Sequence, residues 1–352
     1  MGGGMKKILS RMGDGAFVEM TEDEIKRDLE EGTREAAQRA RVAPLSEGEL
    51  KHLFDIYLIP GKFVGVESGK EIILSLDGGT VKPMNIGVHL GRTQTVQLFE
   101  RMLGYDTMEL GHVDYSWKQV KPIISWEQHD LEQILLVTTI PLFYGAMPNL
   151  GLYTQPDGPV PNPADLIPKG EIAEARAAQE EAIEHAVKDM VFCASRLYES
   201  GADGINLDTT GGAGDHDFLA ALKVTEILKK KYPEMCIEMG MAGEFVLGTH
   251  GEVAYQGVRL AGLYPHEQVK LAEKAGVTIF GPAITTNSSK SHAWNLSRVA
   301  TFVKACVQNA SIPIHVNLGM GVGAAPMVNN GPSDATSRSA KALVEICGLD
   351  GL

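Results

Sequence analysis

Gly201-Ala-Asp-Gly-Ile-Asn-Leu-Asp-Thr-Thr-Gly-Gly-Ala-Gly-Asp-His-Asp217 decides how this chain is read. Ahead of it, Ile183, Ala186, Val187, Met190, Val191, Ala194 and Leu197 keep spacings of three and four, the period of a helix with one apolar stripe. Gly201 suits the end of that helix, because glycine takes the left-handed conformation at no steric cost. Gly204–Leu207 then reads as a short buried strand, and it opens into a polar, glycine-rich loop ahead of a helix over Ala220–Lys231. Helix, glycine, apolar strand, polar loop and helix make one repeating unit of an α/β protein.

The same unit recurs outward from this stretch. Strand-like runs fall at Ile134–Phe143, Met235–Met239, Val277–Phe280 and Ile312–Leu318, and helical patterns at Tyr264–Lys274, Trp294–Val307 and Ala335–Ile346. Apolar strands alternating with amphipathic helices predict a parallel sheet covered on both faces. Polar loops after the strands predict a TIM-type (β/α)8 barrel, with an open doubly wound sheet as the rival. Residues 1–128 read as an N-terminal extension with the first barrel elements, and 129–352 as successive β/α units of the same single domain. Within the extension, a charged helix is predicted over Met20–Arg41, with Thr21 and Glu24 at capping-box spacing. Lys62–Val66 and Glu71–Leu76 read as short strands.

Gly348-Leu-Asp-Gly-Leu352 repeats the Gly201–Ile205 junction. The chain stops where a further strand is due, with five or six strand units counted toward eight. A barrel incomplete at its C-terminus is therefore expected, with open strand edges that favour association.

Composition narrows the function. The 352 residues hold 32 Lys and Arg against 45 Asp and Glu, a net charge of −13, which argues against general nucleic-acid binding and suits a cationic substrate. Four cysteines without a CxxC pair read as reduced thiols, so a cytoplasmic setting is expected. No apolar run reaches the roughly 18–20 residues of a membrane span. The N-terminus carries neither a secretory h-region nor a myristoylation signal.

Candidate chemistry lies on the loops after strands. Asp208 and the acidic, glycine-rich loop behind it would repel an anion and suit a cation; Asp215 and Asp217 read equally as caps of the following helix. Glu238 and Glu244, near the next strand end, suit acid–base work or stabilisation of an ammonium group, although Glu244 could also salt-bridge a loop. Asp208, Glu238 and Glu244 are the catalytic candidates, and Tyr144, Asn149 and Asn317 the substrate-binding ones. Thr285, Thr286 and Asn287 fit loop-tying. Gly319-Met-Gly-Val-Gly323 lacks dinucleotide-fingerprint spacing and reads as close backbone packing. Asp215-His216-Asp217 and His112-Val-Asp114 are the dense candidates for metal ligation, with loop or cap hydrogen bonds favoured over it, so no metal is expected.

Longer runs carry a resemblance. Arg11-Met-Gly-Asp-Gly15, Thr107-Met-Glu-Leu-Gly-His-Val-Asp-Tyr115, Ile140-Pro-Leu-Phe-Tyr-Gly-Ala-Met-Pro-Asn149, Ser200–Gly211, Glu238–Gly248 and Ala293-Trp-Asn-Leu296 resemble the dimethylamine:corrinoid methyltransferases of methanogens and some anaerobic bacteria. The resemblance spans essentially the whole chain. It implies a barrel enzyme that moves a methyl group from dimethylamine to the Co(I) corrinoid of a separate corrinoid protein, in methylamine-dependent methanogenesis or anaerobic methylotrophy. It also implies assembly into a homo-oligomer and a pyrrolysine whose imine adds the amine. No pyrrolysine occurs in these residues. The family places it shortly after a segment like Val344–Leu352, so the chain is expected to end at the amber codon that encodes it. The alternative is a catalytically inactive truncated product that still binds the corrinoid protein. A barrel enzyme for a phosphorylated substrate is disfavoured by the acidic loops.

Overall fold

The computed structural model describes residues 7–70, 72, 74–77, 80–81, 88–89, 109–116, 142–147, 150–199, 201–208, 210, 214–248, 252–328 and 331–352. In chain order, the elements used below begin with strands β1 (Lys7–Arg11) and β2 (Phe17–Thr21) and helices α1 (Glu22–Ala40) and α2 (Glu47–Leu58). Strands β3 (Glu109–Ser116) and β4 (Leu142–Met147), helix α3 (Ile172–Glu199), strand β5 (Gly204–Leu207), helix α4 (Asp215–Lys231) and strand β6 (Cys236–Gly243) follow. Helix α5 (Pro265–Ala275), strand β7 (Ile279–Ala283) and helices α6 (His292–Asn309) and α7 (Ser333–Ala342) complete them. Two compact units divide the chain: Leu110–Tyr264 with Lys270–Phe280, and Met1–Glu109 with Pro265–Val269 and Gly281–Leu352.

The first of these is a parallel α/β layer. β3 pairs with β4, β4 with β5 and β5 with β6, all parallel, so spatial order follows chain order. Every residue of β5 is buried, as a strand covered on both faces requires. Helices α3 and α4 pack on each other, and α3 turns its buried Ile183, Ala186, Met190, Ala194 and Leu197 inward, the stripe its sequence predicts. Gly201, at φ +112°, ends that helix in the left-handed region. Thr278, just ahead of β7, gives its amide to Ile237 O at 2.8 Å, and its Oγ1 takes the Ile237 amide at 2.8 Å.

The mixed α/β architecture with a parallel sheet is thus present. A closed eight-stranded barrel is not seen among the described residues: the sheet that runs through β3-β4-β5-β6 holds six strands, and closure needs a complete ring of about eight. Three predicted strands also differ. Ile312–Leu318 forms no strand: its pairing is an isolated bridge from His315 to Gly351. Residues 62–66 form none, because side chains of another element take their backbone groups: Ser337 Oγ accepts from the Val64 amide and Lys341 Nζ donates to Gly65 O. The predicted run Ile134–Phe143 overlaps β4 only at its end, and residues 134–141 lie outside the described ones.

In the other unit, β1 and β2 form an antiparallel hairpin that leads into α1. Thr21 caps that helix in a full capping box with Glu24, as their spacing predicts. Helix α1 lies along α6, and Gly32 marks the close approach: a Cβ there would stand 2.1 Å from Trp294 O. Thr33 and Thr301 hydroxyls bond at 2.8 Å beneath it. Ala335–Ile346, predicted as one helix, is α7 followed by a π-helical turn, Leu343–Cys347. Gly348 then takes φ +71°, and Gly351 makes a parallel bridge to His315. The junction repeated in sequence is therefore repeated in backbone: a left-handed glycine, then entry into parallel pairing.

Candidate functional site

Register across the parallel ladder organises the candidate residues. Gly145 pairs with Asp114, Asn206 with Gly145, and Glu238 with Asn206, so Asp114, Gly145, Asn206 and Glu238 occupy one row across four strands. The next row back is Val113, Tyr144, Ile205 and Ile237. Because successive residues of a strand face opposite sides, the two rows belong to opposite faces. Ile205, Leu207, Ile237 and Met239 make one face apolar, while Asn206 and Glu238 mark the other as polar and buried. Burying a carboxylate and an amide is costly unless they are hydrogen-bonded, so the bonds of this row matter.

Asn206 bonds forward along the sheet. Its Oδ1 accepts from the Gly240 amide at 3.1 Å, two residues beyond Glu238 on the same face. A Cβ at position 240 would lie 2.6 Å from Asn206 Oδ1, so a larger residue there would displace that amide.

The loops at the strand ends are stitched together. Thr210 donates its amide to Gly240 O at 3.3 Å and accepts from the Gly243 amide at 3.2 Å, and its Oγ1 donates to Leu207 O at 2.7 Å. This lays the segment after β5, which begins with Asp208, against the end of β6, where Glu244 follows directly. Glu238 and Glu244 are buried and Asp208 is half-buried. Asp215 at the start of α4 gives its amide to Leu247 O at 2.8 Å, tying that helix to the loop after β6. The three candidate acids therefore all lie on two adjacent strands and the segments that directly follow them. Acids so placed suit a cation better than an anion.

Other expectations resolve differently. Gly214, not Asp215 or Asp217, occupies the N-cap of α4, and it makes no side-chain cap bond. Asp215 instead pairs with His216 Nδ1 at 2.8 Å, and Asp215, His216 and Asp217 are all buried in the first turn. Among the described residues, no group of three His, Cys, Asp or Glu side chains is arranged to hold a metal ion. Of the substrate-binding candidates, the backbone position of Tyr144 falls in the row of Ile205, so it is Gly145 that shares the Glu238 row. Asn149 lies outside the described residues, and Asn317 belongs to the other unit. In that unit Thr286 and Asn287 tie loops: Thr286 Oγ1 donates to Ala325 O and Asn295 Nδ2 to Asn287 O. The 319–323 glycine run is close packing, for a Cβ at Gly323 would meet Asn317 O at 2.5 Å.

Asn206 was not among the candidates. The signal was available: it is a lone amide inside the four-residue strand Gly-Ile-Asn-Leu, two residues before Asp208.

A family model described as dimethylamine methyltransferase (Dimeth_PyL) matches residues 6–352. The chain belongs to the dimethylamine methyltransferase family. Among solved structures, this dimethylamine methyltransferase family member is similar to a chitinase from Chromobacterium violaceum, with 11% identity over 70% of this chain and 67% of that one and a TM-score of 0.35. The YdjI aldolase from Escherichia coli K12 matches at 11% identity over 80% and 75%, TM-score 0.35. The homocysteine methyltransferase MmuM from Escherichia coli matches at 14% identity over 77% and 97%, TM-score 0.30. Likenesses this distant carry no argument about site or chemistry.

Proposed function

We propose that this chain moves a methyl group from dimethylamine to the Co(I) corrinoid of a separate corrinoid protein, and that Asp208, Glu238 and Glu244 hold the amine as an ammonium. One observation carries the site assignment: a buried glutamate, Glu238, on a polar sheet face, with Asp208 and Glu244 in the segments that follow this strand and its neighbour. Family membership supplies the reaction class. An ammonium nitrogen leaves a methyl carbon far more readily than a neutral amine, so carboxylates that keep it protonated lower the barrier to transfer. The methyl passes to cobalt, the C–N bond breaks with its electron pair to nitrogen, and methylamine is left.

The family's pyrrolysine, which these residues do not contain, would supply an electrophilic imine carbon for the amine. The acidic set fits the cationic nitrogen that such chemistry handles; its own task is to bind it, orient it and hold its proton. The (β/α)8 barrel belongs to the same proposal. Its support is the order β3-β4-β5-β6, which follows the chain without the reversal that a doubly wound sheet has.

Glu238→Gln keeps the shape and removes the charge. Dimethylamine-dependent methylation of Co(I) corrinoid protein, followed by corrinoid absorbance, is expected to slow roughly a hundredfold. Binding of the corrinoid protein, measured separately, is expected to persist. An unchanged transfer rate in a folded variant would remove Glu238 from the site.

A further inference from the structure

We propose that Thr210 is a positioning residue: it clasps the end of β5 to the end of β6 and so sets where Asp208 and Glu244 stand in the candidate site. This assignment deepens the ammonium-binding reading above and rests on it. Thr210 is completely buried, although it lies three residues past the end of β5 in a polar, glycine-rich segment. Its amide, carbonyl and hydroxyl are all engaged. The amide donates to Gly240 O at 3.3 Å, the carbonyl accepts from the Gly243 amide at 3.2 Å, and Oγ1 donates to Leu207 O at 2.7 Å.

The two backbone bonds mark a bulge. In a regular parallel ladder, the carbonyl and the amide that one residue engages on its neighbour lie two positions apart. Here they are Gly240 and Gly243, three apart, so Met241 and Ala242 together stand opposite Thr210 within β6. Glu238 and Glu244 are six positions apart and would leave a regular strand on one face. Across the extra residue that alternation is broken, and the bonds of Thr210 set where the chain departs toward Glu244. Asp208 is fixed from the other side. The Oγ1 bond closes Leu207 to Thr210 into a turn with Asp208 inside it, and Leu207 is itself paired with Met239. Beyond the clasp, the Val246 amide donates to Leu263 O at 3.0 Å, so Glu244 lies between two anchored points. Each acid thus adjoins a residue bonded to Thr210: Asp208 follows Leu207, and Glu244 follows Gly243. A neutral hydroxyl ties these acidic segments without bringing a cation that would compete with an ammonium.

The test is calorimetric titration of the chain with dimethylammonium chloride, with thermal unfolding run alongside. Thr210→Val keeps the branched shape and removes the hydroxyl, whereas Thr210→Ser keeps the hydroxyl and removes a methyl. Thr210→Val is expected to weaken dimethylammonium binding by about tenfold or more, and Thr210→Ser to stay within about twofold of wild type. A purely structural Thr210 would lower Tm in Thr210→Val without moving the dissociation constant, and that result overturns the role. Equal weakening in both variants also overturns it, since the effect then comes from packing and not from the hydroxyl. If Thr210→Val does not fold, Thr210→Ala, which leaves room for a water at Leu207 O, takes its place with the same expectation. If neither folds, the hydroxyl serves folding and the positioning role is overturned. Glu238→Gln separates the two levels. Binding weakened by Glu238→Gln but not by Thr210→Val refutes the role of Thr210 and leaves the ammonium-binding reading standing. Wild-type protein that binds no dimethylammonium, or Glu238→Gln that binds it unchanged, overturns that reading and this assignment with it.

Discussion

Acid should destabilise the unit that holds α6 through one buried imidazole, His292. The ring is almost completely buried, with Nδ1 on Tyr57 Oη at 2.5 Å and Nε2 on Ser339 Oγ at 2.9 Å. A neutral ring, donor at one nitrogen and acceptor at the other, serves both bonds. Burial, reinforced by the Arg338 charge and partly offset by Asp334, lowers its pKa from 6.5 to about 3. The sign follows from proton counting. Between the folded and unfolded values the unfolded chain binds the extra proton, so stability is full above about pH 6.5 and is lost as pH falls toward 3. The full effect is worth about 5 kcal/mol, and at pH 4.5 about 3 kcal/mol of it is already gone. The assay is urea unfolding of wild type and His292→Gln at intervals from pH 7.5 to 4.5. The wild type is expected to lose about 2–3 kcal/mol more than the variant, whose amide serves similar bonds without titrating. Parallel pH slopes, or an imidazole NMR titration of His292 centred near 6.5, would refute the reasoning.

Two further outcomes concern the same unit. Gly32→Ala gains about 1 kcal/mol of helix propensity but drives a Cβ to 2.1 Å from the Trp294 carbonyl and 2.3 Å from Ser297 Oγ. Helices α1 and α6 must part, so a net loss of roughly 1–3 kcal/mol is expected in thermal unfolding, and an unchanged Tm would count against the packing argument. The Glu345 side chain is buried: burial alone would raise its carboxyl, but hydrogen bonds from Lys341, the Glu67 amide and His52 outweigh it and hold the group below its ordinary value. That stability is present above about pH 4.5 and is lost as pH falls through the lowered value. Glu345→Gln strips the charge from a Lys341 that has little solvent access, at an expected cost of roughly 3 kcal/mol, and equal denaturation midpoints would contradict it.

Local physics carried much of the fold. The capping box at Thr21 and Glu24, the stripe along α3 and the left-handed Gly201 depend on neighbours within one turn, and each is found where its residues predict it. Readings that depended on remote partners shifted. Residues 62–66 alternate as a strand would, yet side chains of Ser337 and Lys341, far along the chain, claim their backbone groups. Asp215 and Asp217 look like caps in sequence, but the cap falls on Gly214 because the α4 amides begin one residue earlier, where Asp215 meets the Leu247 carbonyl.

What the sequence determined alone was therefore the alternation of apolar strand and amphipathic helix, the acidic loops behind the strands, and the long runs that mark the family. Tertiary structure decided which of those residues share a face and a level. Side-chain direction alternates with every residue, so a pairing offset by one would put Glu238 opposite Ile205. Only the observed register sets Glu238 beside Asn206, and no local rule specifies a pairing between strands separated by a helix.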